Sequence, residues 1–291
     1  MKQARKLRQM LAEGEPVVAG GCVEPLTGRL IQEAGFNSAY FSGYTAAATM
    51  LALPDTGYYT MTEMDGWIRN VTNAIDIPLI IDADNGYGTA INAQRTVRHF
   101  EKLGAAAMHI EDLLWPKYCA HIGGTRVGPM EEMALKIKAC VAAREDPDFM
   151  IIARSEAPTG EIDGTIERLH AYVEAGADAV FLVGARSKKD LARIPKAFNV
   201  PCMVDITEGT YGPQDFTVEE AKDMGFKIVI LALATFFAKI HAVRSVLKEI
   251  KEHGHTLNFR DRMANFKEMN EFLGVPRVWQ LEKDYMTIDH K

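Results

Sequence analysis

Asp82 and Asp84, two residues apart, and the pair Glu111-Asp112 put carboxylates into two short runs of a 291-residue chain. Each run closes a nearly continuous apolar stretch, PLIIDAD at 78–84 and AAMHIED at 106–112. If these stretches are strands, alternation puts Asp82 and Asp84 on one face. Three such carboxylates at neighbouring strand ends repel one another unless a cation neutralises them. Hard oxygen donors without His or Cys suit Mg²⁺, with Mn²⁺ able to substitute. Mg²⁺ keeps several waters, so part of the set Asp82, Asp84 and Glu111 can bind it through water. The competing reading of the same carboxylates is helix caps and loop salt bridges.

The segment that follows, residues 113–129 (LLWPKYCAHIGGTRVGP), carries Lys117, Cys119 and His121 at alternating positions, then Gly123-Gly124. A connection between strand and helix usually needs about 2–6 residues, and longer ones are often lids. A thiol beside Lys and His has a lowered pKa and can move a proton. The bland alternative is a surface loop with an inert thiol. Arg154 ends another apolar run, FMIIARSE at 149–156. There it either clamps a carboxylate or phosphonate or pairs with a neighbouring Asp or Glu. Ser42-Gly43-Tyr44-Thr45 is small enough for backbone N–H groups to approach an anionic oxygen. Tyr44 is placed there to act as a base. Asp205-Ile206-Thr207-Glu208-Gly209 forms another polar strand end, and Asp55 brings a further carboxylate to the rim.

These residues need a scaffold that gathers strand ends. Eight apolar runs recur: 17–23, 37–43, 78–84, 106–112, 149–156, 179–184, 201–206 and 227–233. Nearly continuous apolar runs are what strands buried on both faces of a parallel sheet require. Helical patterns lie between them, such as 91–103 and 162–175. Glycine closes several of these: Gly35, Gly104, Gly176 and Gly225. The alternation predicts a (β/α)8 TIM barrel, an α/β fold whose site sits at the C-terminal ends of the strands. A doubly wound open sheet is the competing architecture, but the chain has no GxGxxG or Walker lysine motif. Residues 1–240 are expected to form the catalytic barrel. Residues 241–291 form a helical extension of the same domain, with helices over 236–253 and 258–273 and a tail bearing Pro276, Trp279 and Tyr285. Its aromatic anchors suit an interface with a neighbouring subunit.

Composition narrows the classes. The chain is 47% hydrophobic and 25% charged, with a net charge of −6, which excludes disorder for most of its length. No broad basic field is available for nucleic acid. The longest apolar stretch, 228–238, is shorter than the roughly 20 residues of a membrane span. Residues 1–15 are charged and lack a signal peptide's apolar core. Four scattered cysteines without CxxC read as reduced thiols, which points to the cytoplasm.

Taken in order, FSG at 41–43, LPD at 53–55, DADNGYG at 82–88, ED at 111–112, PKYCAH at 116–121, AR at 153–154 and TEG at 207–209 resemble the isocitrate lyase / phosphoenolpyruvate mutase superfamily. The resemblance spans roughly residues 5–250. It implies a barrel whose eighth helix is swapped between subunits in a dimer of dimers, and Mg²⁺ near Asp82, Asp84 and Glu111. It also implies a gating loop, chemistry through an enolate of a 2-oxo acid, and an active-site role for Asp55. The branch is divided. Lyases of the family carry K-[KR]-C-G-H in the loop, and phosphonopyruvate enzymes carry Asn-Ser there. Lys117-Tyr118-Cys119-Ala120-His121 keeps the Lys, Cys and His of the lyases. Arg154-Ser155-Glu156-Ala157 resembles the mutase branch instead of the ARTDA of methylisocitrate lyases. Phe181-Leu182-Val183 lacks their Glu, and Asp205 replaces their Asn.

The expected activity is therefore Mg²⁺-dependent cleavage of a 2-hydroxydicarboxylate or tricarboxylate, of alkylated malate or methylisocitrate type. The C2–C3 bond breaks in a retro-aldol or retro-Claisen sense to give pyruvate or glyoxylate and a second carboxylate. Arg154, Ser42, Gly43, Asp55 and Thr207 would hold the substrate. Cys119, with Lys117 and His121, would protonate the departing carbanion. The alternatives are a phosphonopyruvate mutase or hydrolase, an oxaloacetate decarboxylase, and a non-catalytic anion-binding barrel.

Overall fold

The structure is a computed structural model describing residues 2–119, 122, 126–156, 162–185, 187–209 and 216–286. Eight parallel strands close into a barrel in sequence order, so the fold is the (β/α)8 barrel. The chain begins with α1 (Gln3–Ala12), β1 (Val17–Gly21), α2 (Pro25–Glu33) and β2 (Ser38–Phe41). A short helix α3 (Gly43–Ala46) continues as a π-helical turn, and α4 (Met61–Thr72), β3 (Leu79–Asp82), α5 (Ala90–Lys102) and β4 (Ala107–Glu111) follow. Next come α6 (Met130–Ala143), β5 (Met150–Ser155), α7 (Ile162–Glu174) and β6 (Ala179–Leu182). Two short helices, α8 (Lys188–Leu191) and α9 (Ile194–Ala197), precede β7 (Cys202–Asp205), α10 (Val218–Met224) and β8 (Ile228–Leu231). All eight expected runs contain a strand. The last closes the ring through Val17↔Ile228 and Gly20↔Leu231.

Two apolar cores flank the sheet. Phe41, Ile81, Ile110, Val180 and Val204 face the surrounding helices. Tyr40, Ile80, Ile152, Phe181, Met203 and Ile230 fill the barrel. Leu7 and Met10 of α1 join that inner core and close the N-terminal end of the barrel. Arg8 fixes α1 there through Asp178, 2.7 Å away.

Alternation along each strand then sets the next layer. Two residues beyond the inner positions stand Ser42, Asp82, Arg154, Val183, Asp205 and Ala232, and two beyond His109 stands Glu111. The polar mouth is thus a direct result of the period of the strands. Loop chemistry keeps the register. Gly225 ends α10 at φ +105°, a conformation that suits a residue without Cβ.

The chain divides into two compact units, Met1–Phe236 and Phe237–Lys291. The helix α11 (Ala234–His253) runs across the boundary. The expected single helix over 258–273 is two elements: a 3-10 helix (Leu257–Arg262), then α12 (Phe266–Leu273). Asn265 causes the break, since its side chain accepts from the Glu268 N–H at 2.9 Å and caps a new helix. The tail with Pro276 and Trp279 is helical as α13 (Val275–Tyr285). Phe266, Trp279 and Tyr285 are exposed in this unit. No helix of the described residues is long and apolar enough to cross a membrane.

Candidate active site

The strand ends deliver a buried, highly charged cluster. β3 ends at Asp82, so strand alternation does not place Asp84. Asp84 lies in a turn with φ +47°, and its N–H donates to Asp82 Oδ1 at 3.0 Å. The turn still aims its carboxylate into the mouth, where the Tyr59 hydroxyl donates to Asp84 Oδ1 at 3.1 Å. Lys117 reaches the same oxygen at 2.6 Å. Its ammonium also donates to both oxygens of Asp55, at 2.7 and 2.9 Å. Lys117 is only 2% exposed, so this loop lysine is packed into the cluster as its counter-charge.

Arg154 organises the other side. Its guanidinium stands 3.5 Å from Asp82 Oδ2, 3.4 Å from Glu111 Oε2 and 5.3 Å from the centre of the Phe181 ring. It donates to Glu156 Oε1. Beneath lies His109, whose Nε2 is 2.8 Å from the Tyr40 hydroxyl and whose Nδ1 is 3.7 Å from Asp82 Oδ1. Burial pushes Asp82 up, but His109, Arg154 and Lys117 outweigh it and bring it down to about 2. Burial keeps His109 itself neutral near pH 7, at about 3, so there Arg154, Lys117 and the Asp84 N–H keep Asp82 ionised. Asp84 goes the other way: burial lifts it to about 6 even against Lys117. Burial also raises Glu111, with Arg154 opposing.

Hard oxygen donors remain unspent here. Asp84 Oδ2 and both Glu111 carboxylate oxygens are buried and accept no hydrogen bond among the described residues. Unsatisfied buried carboxylate oxygens are costly, and a hard divalent cation would satisfy them. Among the described residues no three His, Cys, Asp or Glu side chains converge at direct metal-ligand spacing.

Other predicted residues fall around this centre. Cys119 is buried, and its N–H donates to the Asp55 carbonyl at 3.2 Å. The Tyr44 hydroxyl is raised first by burial, then by Cys119 and Asp55, and so stays protonated. Ser42 is buried and caps α3, accepting from the Thr45 N–H at 3.4 Å. The Gly43 N–H, expected to face a substrate oxygen, donates to Asp82 Oδ2 at 3.2 Å. A Cβ at Gly43 would meet the Tyr59 hydroxyl and come within 2.9 Å of Asp82 Oδ2, so only glycine allows this approach. Thr207 is buried at the end of β7 and donates to Asp205, whose carboxyl burial lifts to about 6. His121, Gly123 and Gly124 lie outside the described residues.

Three members of the cluster went unnoticed in the sequence. Glu156 and His109 each stand two residues from a predicted site residue, Arg154 and Glu111, so alternation could have found both. Tyr59 comes from the loop after the π-helical turn, and no local pattern marks it.

Comparison with known proteins gives consistent results. A family profile described as phosphoenolpyruvate phosphomutase matches residues 7–251. A 2,3-dimethylmalate lyase from Eubacterium barkeri is 36% identical over 288 residues, covering 99% of each chain. Among solved structures, an oxaloacetate acetylhydrolase in complex with the inhibitor 3,3-difluorooxalacetate superposes with a TM-score of 0.91 at 33% identity, covering 97% of both chains. A phosphonopyruvate hydrolase complexed with oxalate and Mg²⁺ gives 0.87 at 30% identity, covering 98% of this chain and 99% of that one.

Proposed function

Since the chain belongs to the phosphoenolpyruvate mutase/isocitrate lyase superfamily, we propose that it is a Mg²⁺-dependent carbon–carbon lyase acting on a 2-hydroxydicarboxylate of the alkylated malate type. The products are a 2-oxo acid, pyruvate or glyoxylate, and a second carboxylate. The observation that carries this reading is Cys119, held by its N–H on Asp55 beside Tyr44, at the edge of the carboxylate cluster. A lyase needs a proton donor there for the carbanion it releases, and a thiol serves.

Asp82, Asp84 and Glu111 would hold Mg²⁺, directly or through water. When bound, the ion would supply Lewis-acid polarisation of the substrate. Arg154 holds a carboxylate oxygen of the substrate, and Thr207 supplies a second polar contact. The Asp55–Lys117 pair accepts the 2-hydroxyl proton as the C2–C3 bond breaks. The bonding electrons pass to the carbon of the other fragment, and the Cys119 Sγ–H gives that carbon its proton. Burial keeps Tyr44 as the phenol, so in this reading it donates a hydrogen bond to the departing fragment and is not the base. Exclusion of water by the loop that bears Lys117 and Cys119 protects the carbanion.

All four cysteines are buried and none forms a disulfide among the described residues, which supports a reducing, cytoplasmic setting. Exposed Phe266, Trp279 and Tyr285 support burial of the C-terminal helices in a homo-oligomer. A second reading, hydrolysis of oxaloacetate or phosphonopyruvate, is favoured by the likeness to those two hydrolases. The test, with Mg²⁺ throughout, is release of 2-oxo acid from alkylated malates and 2-methylisocitrate, appearance of oxalate from oxaloacetate, and release of phosphate from phosphonopyruvate. Rapid release from a hydroxydicarboxylate, abolished by chelation and restored by Mg²⁺ or Mn²⁺, is the expected result. Turnover of oxaloacetate or phosphonopyruvate alone, the latter followed by phosphorus NMR, would establish the second reading instead.

A further inference from the structure

Asp112 neighbours Glu111 but takes no part in the cluster. It is buried, and its carboxylate collects four donors. Oδ2 accepts from the Ser155 hydroxyl at 2.7 Å, Arg168 Nε at 3.1 Å and the Tyr172 hydroxyl at 3.0 Å. Oδ1 accepts from the Glu156 N–H at 3.2 Å. The loop that bears Lys117 and Cys119 starts here and returns beside its own start. Leu113 bridges Val127, the Leu114 N–H donates to the Arg126 carbonyl at 2.8 Å, and the Gly128 N–H donates to the Asp112 carbonyl at 2.8 Å. The loop therefore stands on a short two-stranded stem.

Arg168 of α7 grips both sides of that stem. Its Nε holds the outgoing side at Asp112, and its Nη2 donates to the Gly128 carbonyl on the returning side. Only a guanidinium presents two donors in such a fixed fork; a lysine ammonium is a point charge. A stem this short has little stability of its own. We propose that Arg168 is a positioning residue that clasps the stem of the 113–128 loop, so that Lys117 and Cys119 stay seated against Asp55 and Asp84.

Arg168 touches no reacting group in this arrangement and acts through the loop. Its kinetic effect rests on the proposed lyase reading, whereas its effect on loop seating does not. The experiment measures alkylation rates of the individual cysteines in the full chain by mass spectrometry. Cys22, Cys140 and Cys202 serve as internal references. In Arg168→Gln the Cys119 rate should rise about tenfold, the signature of a local opening made easier. Arg168→Lys, which keeps the charge but not the fork, should fall between wild type and Arg168→Gln. Tyr172→Phe, which removes a donor to Asp112 but leaves the Gly128 tie, should stay within about twofold of wild type. On the substrate identified above, kcat of Arg168→Lys should fall by a smaller factor than labelling rises, because labelling follows the open fraction and turnover the closed one, with KM moving less than about threefold.

Equal Cys119 rates in wild type and Arg168→Lys would overturn the proposal. So would a Tyr172→Phe rate that matches the arginine variants, because the network would then support the barrel alone. If wild type cleaves nothing in the panel, the lyase reading fails, and the labelling still decides the clasp.

Discussion

Replacing Lys117 by Met removes one charge and keeps most of the volume. In the wild type its ammonium is 2.7 Å from Asp55 and 2.6 Å from Asp84, and all three side chains are nearly inaccessible. Removing one partner of a buried ion pair costs about 3–5 kcal/mol, because the other charge is left without compensation. For a domain of this size, that is a loss of about 6–20 °C in Tm. The loss should depend on pH in a defined direction. Asp84 has a folded pKa of about 6, above its ordinary 3.8. A carboxylate raised on folding binds its proton more tightly in the folded chain, so stability declines as pH rises from the ordinary value through the folded one. Removing Lys117, the chief charge holding Asp84 down, moves the end of that decline to higher pH. The gap between Lys117→Met and wild type should be smaller at pH 5 than at pH 8, the Asp55 contact being lost at both. Calorimetry without divalent cations checks this. A gap equal at both pH values, or under about 2 °C at pH 8, would refute the reasoning, since water would then solvate the carboxylates as soon as the lysine left.

Cys119→Ser should keep KM within about threefold and lower kcat by about 10²-fold or more, measured as 2-oxo acid release, because a hydroxyl is a much weaker proton donor. Burial lifts the thiols of Cys22, Cys140 and Cys202 to about 12. All three should therefore resist alkylation at pH 8 until the chain is unfolded, as read by mass spectrometry with and without denaturant. Gly43→Ala should gain nothing from its better helix propensity. Its Cβ would displace the Tyr59 hydroxyl from Asp84 and crowd Asp82. A loss of about 1–3 kcal/mol, with weaker Mn²⁺ binding by calorimetric titration, is expected.

The barrel was legible because parallel strands buried on both faces need apolar runs, and these were all present. Asp82, Glu111 and Arg154 were legible because they end such runs. Asp84 was placed correctly in the mouth for an incomplete reason, since a left-handed turn and not the strand aims it. Lys117 was expected as a loop residue of the site, but its ion pair with Asp55 is a contact across 62 positions that no local pattern encodes. The break at Asn265 was readable. Asn three residues before Glu268 is a capping signal, and the apolar spacing on both sides hid it. The clasp at Arg168 was not readable, since its partners Asp112 and Gly128 lie 56 and 40 positions away along the chain.

The strands of this barrel each offer one inward position just above the packed interior, held here by Gly21, Ser42, Asp82, Glu111, Arg154, Val183, Asp205 and Ala232 around the rim. Because side chains alternate with period two, losing one residue from any strand would turn its rim position outward among the helices. Single substitutions at these addresses rewrite the charge of the mouth and leave the scaffold alone, while insertions are admissible only in the connecting loops. Evolution on such a frame changes reactions by spelling, one letter at a time at fixed places, and changes access by the length of what lies between them.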